Sequence, residues 1–180
     1  HLEGFKAKNI DVLILTDPID DFWIQQLPEY NDKKFVSISR GKVNLDDIKT
    51  KKKNTKKGKD KDFKELIEKI KESLGEKVAD VIISKSLTES PARLVADDNA
   101  MDIQMEKMMM MQNPDFKGSP RVMEINIDHG LIKSMNGKVS TSVNLLDDLS
   151  LLLFDQSRIL EGKTPESLND FNQSLTRVMQ

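Results

Sequence analysis

The sequence predicts an α+β fold: a small mixed sheet with flanking helices, and a C-terminal helical hairpin that forms a four-helix bundle across a dimer. Three observations carry this expectation. Short apolar or alternating runs recur at 12–15, 34–39, 78–87, 91–95 and 121–127, with the length and period of strands. Stripes at helical spacing fill much of the chain between them. The chain then closes on two amphipathic helices with more apolar surface than two helices can hide in each other.

Residues 1–10 read as the end of a helix, closed near Asn9. Val12, Leu13, Ile14 and Leu15 form a continuous apolar run, the pattern of a strand buried on both faces. Asp17-Pro18 opens a helix, because aspartate caps free amides and proline suits the first turn. Ile19, Phe22, Trp23 and Leu27 ride on it, and residues 34–39 alternate as a second strand. Residues 1–41 are too few for a domain and read as the end of an α/β domain, a piece of a longer protein. Residues 42–61 then lose nearly all hydrophobes and gain lysines, the composition of a solvated linker.

Residues 62–180 read as a second domain. Phe63, Leu66, Ile67, Ile70 and Leu74 make a helix stopped by Gly75. Strands follow over 78–87 and 91–95. A methionine-rich helix comes next, N-capped by Asp97 or Asp98. Residues 121–127 alternate as a strand, and 131–135 form a short helix. Ser142 or Asn144 caps the penultimate helix, where Leu145, Leu149, Leu152, Leu153, Ile159 and Leu160 share one side, with Leu146 on its flank. Gly162 ends it. Thr164-Pro165-Glu166 starts the last helix, striped by Leu168, Phe171, Leu175, Val178 and Met179. The short connection makes the two antiparallel. Their apolar surplus is hidden either by packing wholly on their own domain or by twofold pairing with a second copy.

Six of the nine methionines fall between Met101 and Met111. At about 100° per residue, Met101, Met105, Met108 and Met109 share one arc, while Ile103 and Met110 point the other way. One apolar side suffices to seat a helix on its domain. A second side of flexible thioethers suits either a Met-rich core or a surface for irregular partners.

Chemistry is excluded more readily than assigned. With a net charge of −2 and 32% charged residues, overall charge gives no argument for nucleic acid. The lysine run has no interleaved aromatic residue and reads as linker. There is no cysteine, hence no thiol nucleophile or thiolate metal site. No apolar run approaches the roughly 20 residues of a membrane span. Glycine-rich phosphate loops, metal-spaced histidines and a nucleophile elbow are all missing. His129 beside Asp128 suits a strand end better than a general base. Asp17, Asp20 and Asp21 sit where carboxylates offset a helix dipole, which explains them better than a cation site does.

Several segments resemble the heat-shock protein 90 chaperones. Residues 11–22, DVLILTDPIDDF, are similar to the segment that closes that family's middle domain. LGEKV with Asp80-Val81, then LTESPA at 87–92, resembles the family's pattern in its C-terminal domain. MDIQMEKM at 101–108 resembles its methionine helix. Glu124-Ile125-Asn126 with Asp128-His129, and residues 152–159, are similar to later motifs. The matches run in order and spare the lysine-rich stretch. No acidic peptide tail follows Met179, which points to the bacterial branch.

The resemblance implies the C-terminal part of a homodimeric, ATP-dependent chaperone of the cytoplasm, with a role in stress response. It implies client contacts at Met101, Met105, Met108 and Met109 and at Asp21 and Phe22, with Trp23 as an extra neighbour. It places the dimer contact on the hairpin from Leu145 to Met179. It implies no enzymatic activity and no cofactor in this segment, since ATP and magnesium belong to an N-terminal domain of the parent. The partners it implies are a second copy and partly folded proteins, not nucleic acid or a membrane. The other reading is a purely structural dimerisation module, with clients held elsewhere.

Overall fold

The computed structural model describes residues 2–17, 19–38, 60–97, 103–113, 116 and 118–180, with backbone alone for Asp21, Gln25, Ile103, Gln104, Met105 and Lys107. Met101, Asp98 and nearly all of the lysine-rich stretch lie outside the described residues, as do the side chains of Met105 and Asp21.

Helix α1 (Glu3–Ala7) ends before Asn9, whose φ of 52° is the left-handed turn that asparagine tolerates. The strand expected at 12–15 does not form. Leu13 is 70% and Ile14 68% exposed. A strand buried on both faces needs neighbours for its amides and carbonyls, and no described strand lies beside this one. Helix α2 (Asp20–Gln26) begins later than the Asp17-Pro18 start the sequence predicts, with Ile19 at its cap position and no side-chain cap. Asp17 Oδ1 accepts from the Ile19 amide at 3.1 Å, and Asp20 Oδ2 accepts from the Asp17 amide at 3.0 Å. In place of a strand over 34–39 there is a tight hairpin of β1 (Glu29–Tyr30) and β2 (Lys33–Lys34). Asn31 and Asp32 both take positive φ, 49° and 60°, which matches the twist of a two-residue hairpin turn.

A 3₁₀ turn (Asp60–Phe63) leads into α3 (Lys64–Leu74), which buries Leu66, Ile70 and Leu74 at four-residue spacing. Gly75, at φ 52°, stops it. Strands β3 (Val78–Ile83) and β4 (Ala92–Val95) flank β5 (Arg121–Ile125), parallel and antiparallel respectively. The sheet is therefore mixed, and all five residues of its central strand are buried. Helix α4 (Ile103–Gln112) is the methionine helix. The residues between Asp97 and Ile103 lie outside the described ones, and so does the helix start that Asp97 or Asp98 is expected to cap. Helix α5 (Gly130–Asn136) is capped by His129, whose Nδ1 accepts from the Leu131 amide at 3.1 Å.

Helices α3 and α6 (Val143–Leu160) pack together, α3 against β3 and α6 against β4. One apolar core joins Leu66, Ile70, Leu94, Met123, Leu153 and Phe154. The last helix, α7 (Leu168–Val178), packs on α6 and begins later than the sequence predicts. Thr164 and Glu166 serve the connection instead. Arg158 Nε donates to the Thr164 carbonyl at 3.2 Å, the Glu166 amide donates to Asp155 Oδ1 at 3.1 Å, and the Glu166 carboxylate holds Lys77. The Thr164 carbonyl and the Glu166 amide and carboxylate are thus engaged with α6 and Lys77 rather than in a first turn of α7. Ser167 caps α7, accepting from the Asp170 amide at 3.3 Å.

Candidate functional site

The leucine side of α6 divides in two. Leu146 and Leu153, expected at a dimer contact, lie in the domain's own core and do not reach its surface. Leu145, Leu149 and Leu152 are half-buried, and Leu149 packs against the same core. At the C-terminal end of α6, Ile159 and Leu160 are exposed. On α7, Leu168, Leu175 and Met179 are exposed and Phe171 and Val178 half-buried.

Helix α7 rests on α6 through polar groups. Ser174 Oγ donates to Asp148 Oδ1 at 2.8 Å, and Arg177 Nε donates to Asp148 Oδ2 at 2.8 Å. A second guanidinium nitrogen of Arg177 donates to Oδ1. The Arg177 bonds pull the Asp148 carboxyl below its ordinary range, against the effect of its burial. So Ser174 is turned inward, Phe171 and Val178 lie half-buried beside it, and Leu168 and Leu175 are turned outward. The sequence reading missed this network. Ser174 and Arg177 stand three apart and Asp148 sits on an otherwise leucine-rich helix, but these residue types are ordinary on any helix surface.

The methionine helix has the same two-sided character. Among the described side chains of α4 only Glu106 is buried, at 1% exposure. Its Oε1 accepts from the Ser119 amide at 3.0 Å and its Oε2 from Arg121 Nη2 at 2.5 Å. Gly118 lets the helix come close, since a Cβ there would sit 2.8 Å from Met110 Cε. Met110 is half-buried, whereas Met108, Met109 and Met111 are 53%, 38% and 85% exposed. Met108 and Met109 therefore face away from Met110, as the helical spacing predicts.

In the N-terminal piece, Phe22 is exposed at 61%. Trp23 is half-buried and locally engaged. Its Nε1 donates to Asp20 Oδ1 at 2.7 Å, and its ring meets Phe35 edge-on with centroids 6.0 Å apart. Glu3 of α1 ties this piece to the turn between β3 and β4. Its Oε2 accepts from the Thr88 and Ser90 amides, each at 3.0 Å, and from the Glu89 amide. Burial alone would raise this carboxyl, but the three amides outweigh it and bring it down to about 2.

Two partly exposed apolar faces therefore each stand beside a buried polar group, Ser174 on α7 and Glu106 on α4. The profile of the Hsp90 protein family matches residues 1–180. The chain belongs to the Hsp90 family. It is 39% identical to the chaperone protein HtpG of Roseobacter denitrificans, over 99% of this chain and 30% of that protein. Against HtpG of Paramagnetospirillum magneticum it is 38% identical, over 100% and 30%. Against HtpG of Wolbachia pipientis wMel it is 36% identical, over 99% and 29%. The chain thus spans about 30% of the length of these curated relatives. The family's motifs coincide with the anchors just described. Within the stretch 101–108 lies Glu106, and LTESPA carries the turn that Glu3 binds.

Proposed function

We propose that this segment of an Hsp90-type chaperone does two non-covalent jobs: it joins two copies of the chain, and it offers an adaptable apolar face to partly folded proteins. The pairing face is Ile159 and Leu160 of α6 with Leu168, Phe171, Leu175 and Val178 of α7, flanked by the half-buried Leu145, Leu149 and Leu152. The client face is Met108 and Met109, continued by Met101 and Met105, with Phe22 and Asp21 as a second contact area. The single observation in support is that the buried side chains described on α4 and α7 are polar, Glu106 and Ser174, while Met108, Met109, Leu168 and Leu175 are exposed.

Magnitudes bear on the pairing. Covering the exposed part of Ile159, Leu160, Leu168, Leu175 and Met179 is worth about 1 kcal/mol per side chain, on the order of 10 kcal/mol for a twofold pair. That is comparable to the about 4–15 kcal/mol lost in association. A stable pair must therefore cover Phe171 and Val178 as well, and a single charge on this face suffices to prevent it. Leu160→Asp combined with Leu175→Asp should leave the helical content intact and sediment as one copy. A variant that still sediments as a pair would remove the hairpin from the interface.

Methionine suits the other face, because a flexible, polarisable side chain fits many shapes at modest affinity. Met108→Ser with Met109→Ser should weaken retention of a partly folded protein several-fold while leaving pairing unchanged. Undiminished retention favours the alternative, a purely structural dimerisation module. ATP hydrolysis, with its magnesium, is assigned to the rest of the parent, and no cofactor to these residues. The expected setting is the cytoplasm, with neither nucleic acid nor membrane as partner. Among the described residues no helix is long and apolar enough to cross a membrane.

A further inference from the structure

We propose that Met108, Met109 and Met111 form an oxidation site, where a peroxide converts thioether to sulfoxide and turns the outer face of α4 from apolar to polar. The inference deepens the client-face reading and rests on it: the oxidised face releases partly folded proteins. The chain has no cysteine, so methionine is its only sulfur. Its methionines are unequally open to solvent. Met123 on the central strand and Met135 on α5 are fully buried in the core. Met110 is half-buried, with its methyl beside Gly118. Met108, Met109 and Met111 are exposed and fall within four consecutive positions of one helix. Met179 is exposed as well, but it stands apart from them at the end of α7.

The reaction requires an open sulfur. A sulfur lone pair attacks one oxygen of hydrogen peroxide, the O–O bond breaks and an S–O bond forms. The second oxygen leaves as water after a proton transfer. Sulfur loses two electrons and the peroxide gains them. The product is a polar, chiral side chain where a flexible apolar one stood. Covering its sulfinyl oxygen with a client's apolar surface leaves a strong acceptor without a donor, which is unfavourable. The change is confined to the outer face. The side chain that α4 buries among those described is Glu106, and its bonds to Arg121 and the Ser119 amide involve no sulfur. On the pairing face, Ile159, Leu160, Leu168 and Leu175 have no atom that peroxide oxidises. Reversal takes a protein dithiol as reductant, which ends as a disulfide while the oxygen leaves as water. A face that peroxide closes and a dithiol reopens is a redox switch on client holding.

The test uses the 180-residue chain, hydrogen peroxide later removed by catalase, and fluorescent carboxymethylated α-lactalbumin as the partly folded probe. Peptide mass mapping should find oxygen on Met108, Met109 and Met111 before Met110, and on Met123 and Met135 only after unfolding. Oxidation should lower affinity for the probe at least about fivefold, with sedimentation and helical content unchanged. A methionine sulfoxide reductase should restore it. Met108→Leu with Met109→Leu and Met111→Leu conserves apolar volume and cannot be oxidised at these positions. That variant retains Met179, and its affinity should be the same before and after peroxide. Equal oxidation of core and outer methionines, an equal loss in the leucine variant, or a loss that persists after the sulfoxides are reduced would overturn the assignment. Met108→Ser with Met109→Ser separates this inference from the reading beneath it. If that variant loses the probe while the oxidised parent retains it, the switch alone falls. If neither change weakens binding, the client face falls and the switch with it.

Discussion

The terminal hairpin and the methionine helix both expose large apolar side chains, yet they are anchored differently. Helix α6 is part of the core through Leu146, Leu153 and Phe154, and α7 is fastened to it by Asp148, Ser174 and Arg177. Its apolar side chains are thus fixed in register on a stiff support, which suits one partner of constant shape. Helix α4 contributes a single buried side chain among those described, Glu106, which holds Arg121 and the Ser119 amide beside a close approach at Gly118. Its exposed thioethers are flexible side chains beside a buried charge, which suits partners of varying shape. Exposure alone does not distinguish the two faces; the anchor does.

The sharpest way to break this contrast is Glu106→Gln. Removing one member of a buried ion pair leaves Arg121 without its counter-charge, a change worth about 3–5 kcal/mol. Since α4 has no other described buried side chain, the effect should be local. Amide exchange across 103–112 should accelerate by about two to four orders of magnitude while α6 and α7 keep their protection. If α4 exchanges as slowly as in the parent, it is held by more than this pair and the contrast fails.

A smaller effect is expected for Asp148→Asn. The carboxylate is buried but Arg177 is half-exposed, so solvent screens the pair. Amides of α7 should exchange roughly two- to fivefold faster, with those of α6 unchanged. The Asp148 carboxyl titrates below its ordinary range in the folded chain. Its contribution is therefore complete above that range and disappears as pH falls through the lowered value. Unaltered exchange in α7 would mean that apolar contacts, not this network, hold the helix.

The sequence made the frame readable and the anchors obscure. Gly75, Gly162 and the strand periods locate α3, α6, β3, β4 and β5 well, because each is dictated by local chemistry. Helical spacing made legible that Met108 and Met109 lie on the arc opposite Met110, but not which arc faces outward. The strand at 12–15 failed because an apolar run becomes a strand only with neighbours, and a sequence pattern does not say whether they are there. The start of α7 failed because Thr164 and Glu166 give their polar groups to Arg158, Asp155 and Lys77. Leu146 and Leu153 were grouped with the exposed leucines because a helix with apolar residues over most of its circumference has no sequence mark for which side is the core. Glu106 in MEKM reads as a solvated charge until Arg121, fifteen residues on, folds against it.

The smallest effect concerns the contact that links the N-terminal piece to the second segment. Glu3 accepts from three consecutive amides of the turn at 88–90, and its carboxyl falls from an ordinary 4.5 to about 2. The unfolded chain therefore takes up this proton first as pH drops. The contribution is fully present above about pH 4.5 and is lost progressively between there and about pH 2. Glu3 is half-buried, and solvent screening reduces it to about 0.5–1 kcal/mol near neutrality. Glu3→Gln should lower the unfolding midpoint slightly at pH 6 and not at all at pH 2, so that the two curves converge in acid. Parallel curves across that range would show that the turn does not need a charge to hold α1, and the link would then rest on the buried Phe5.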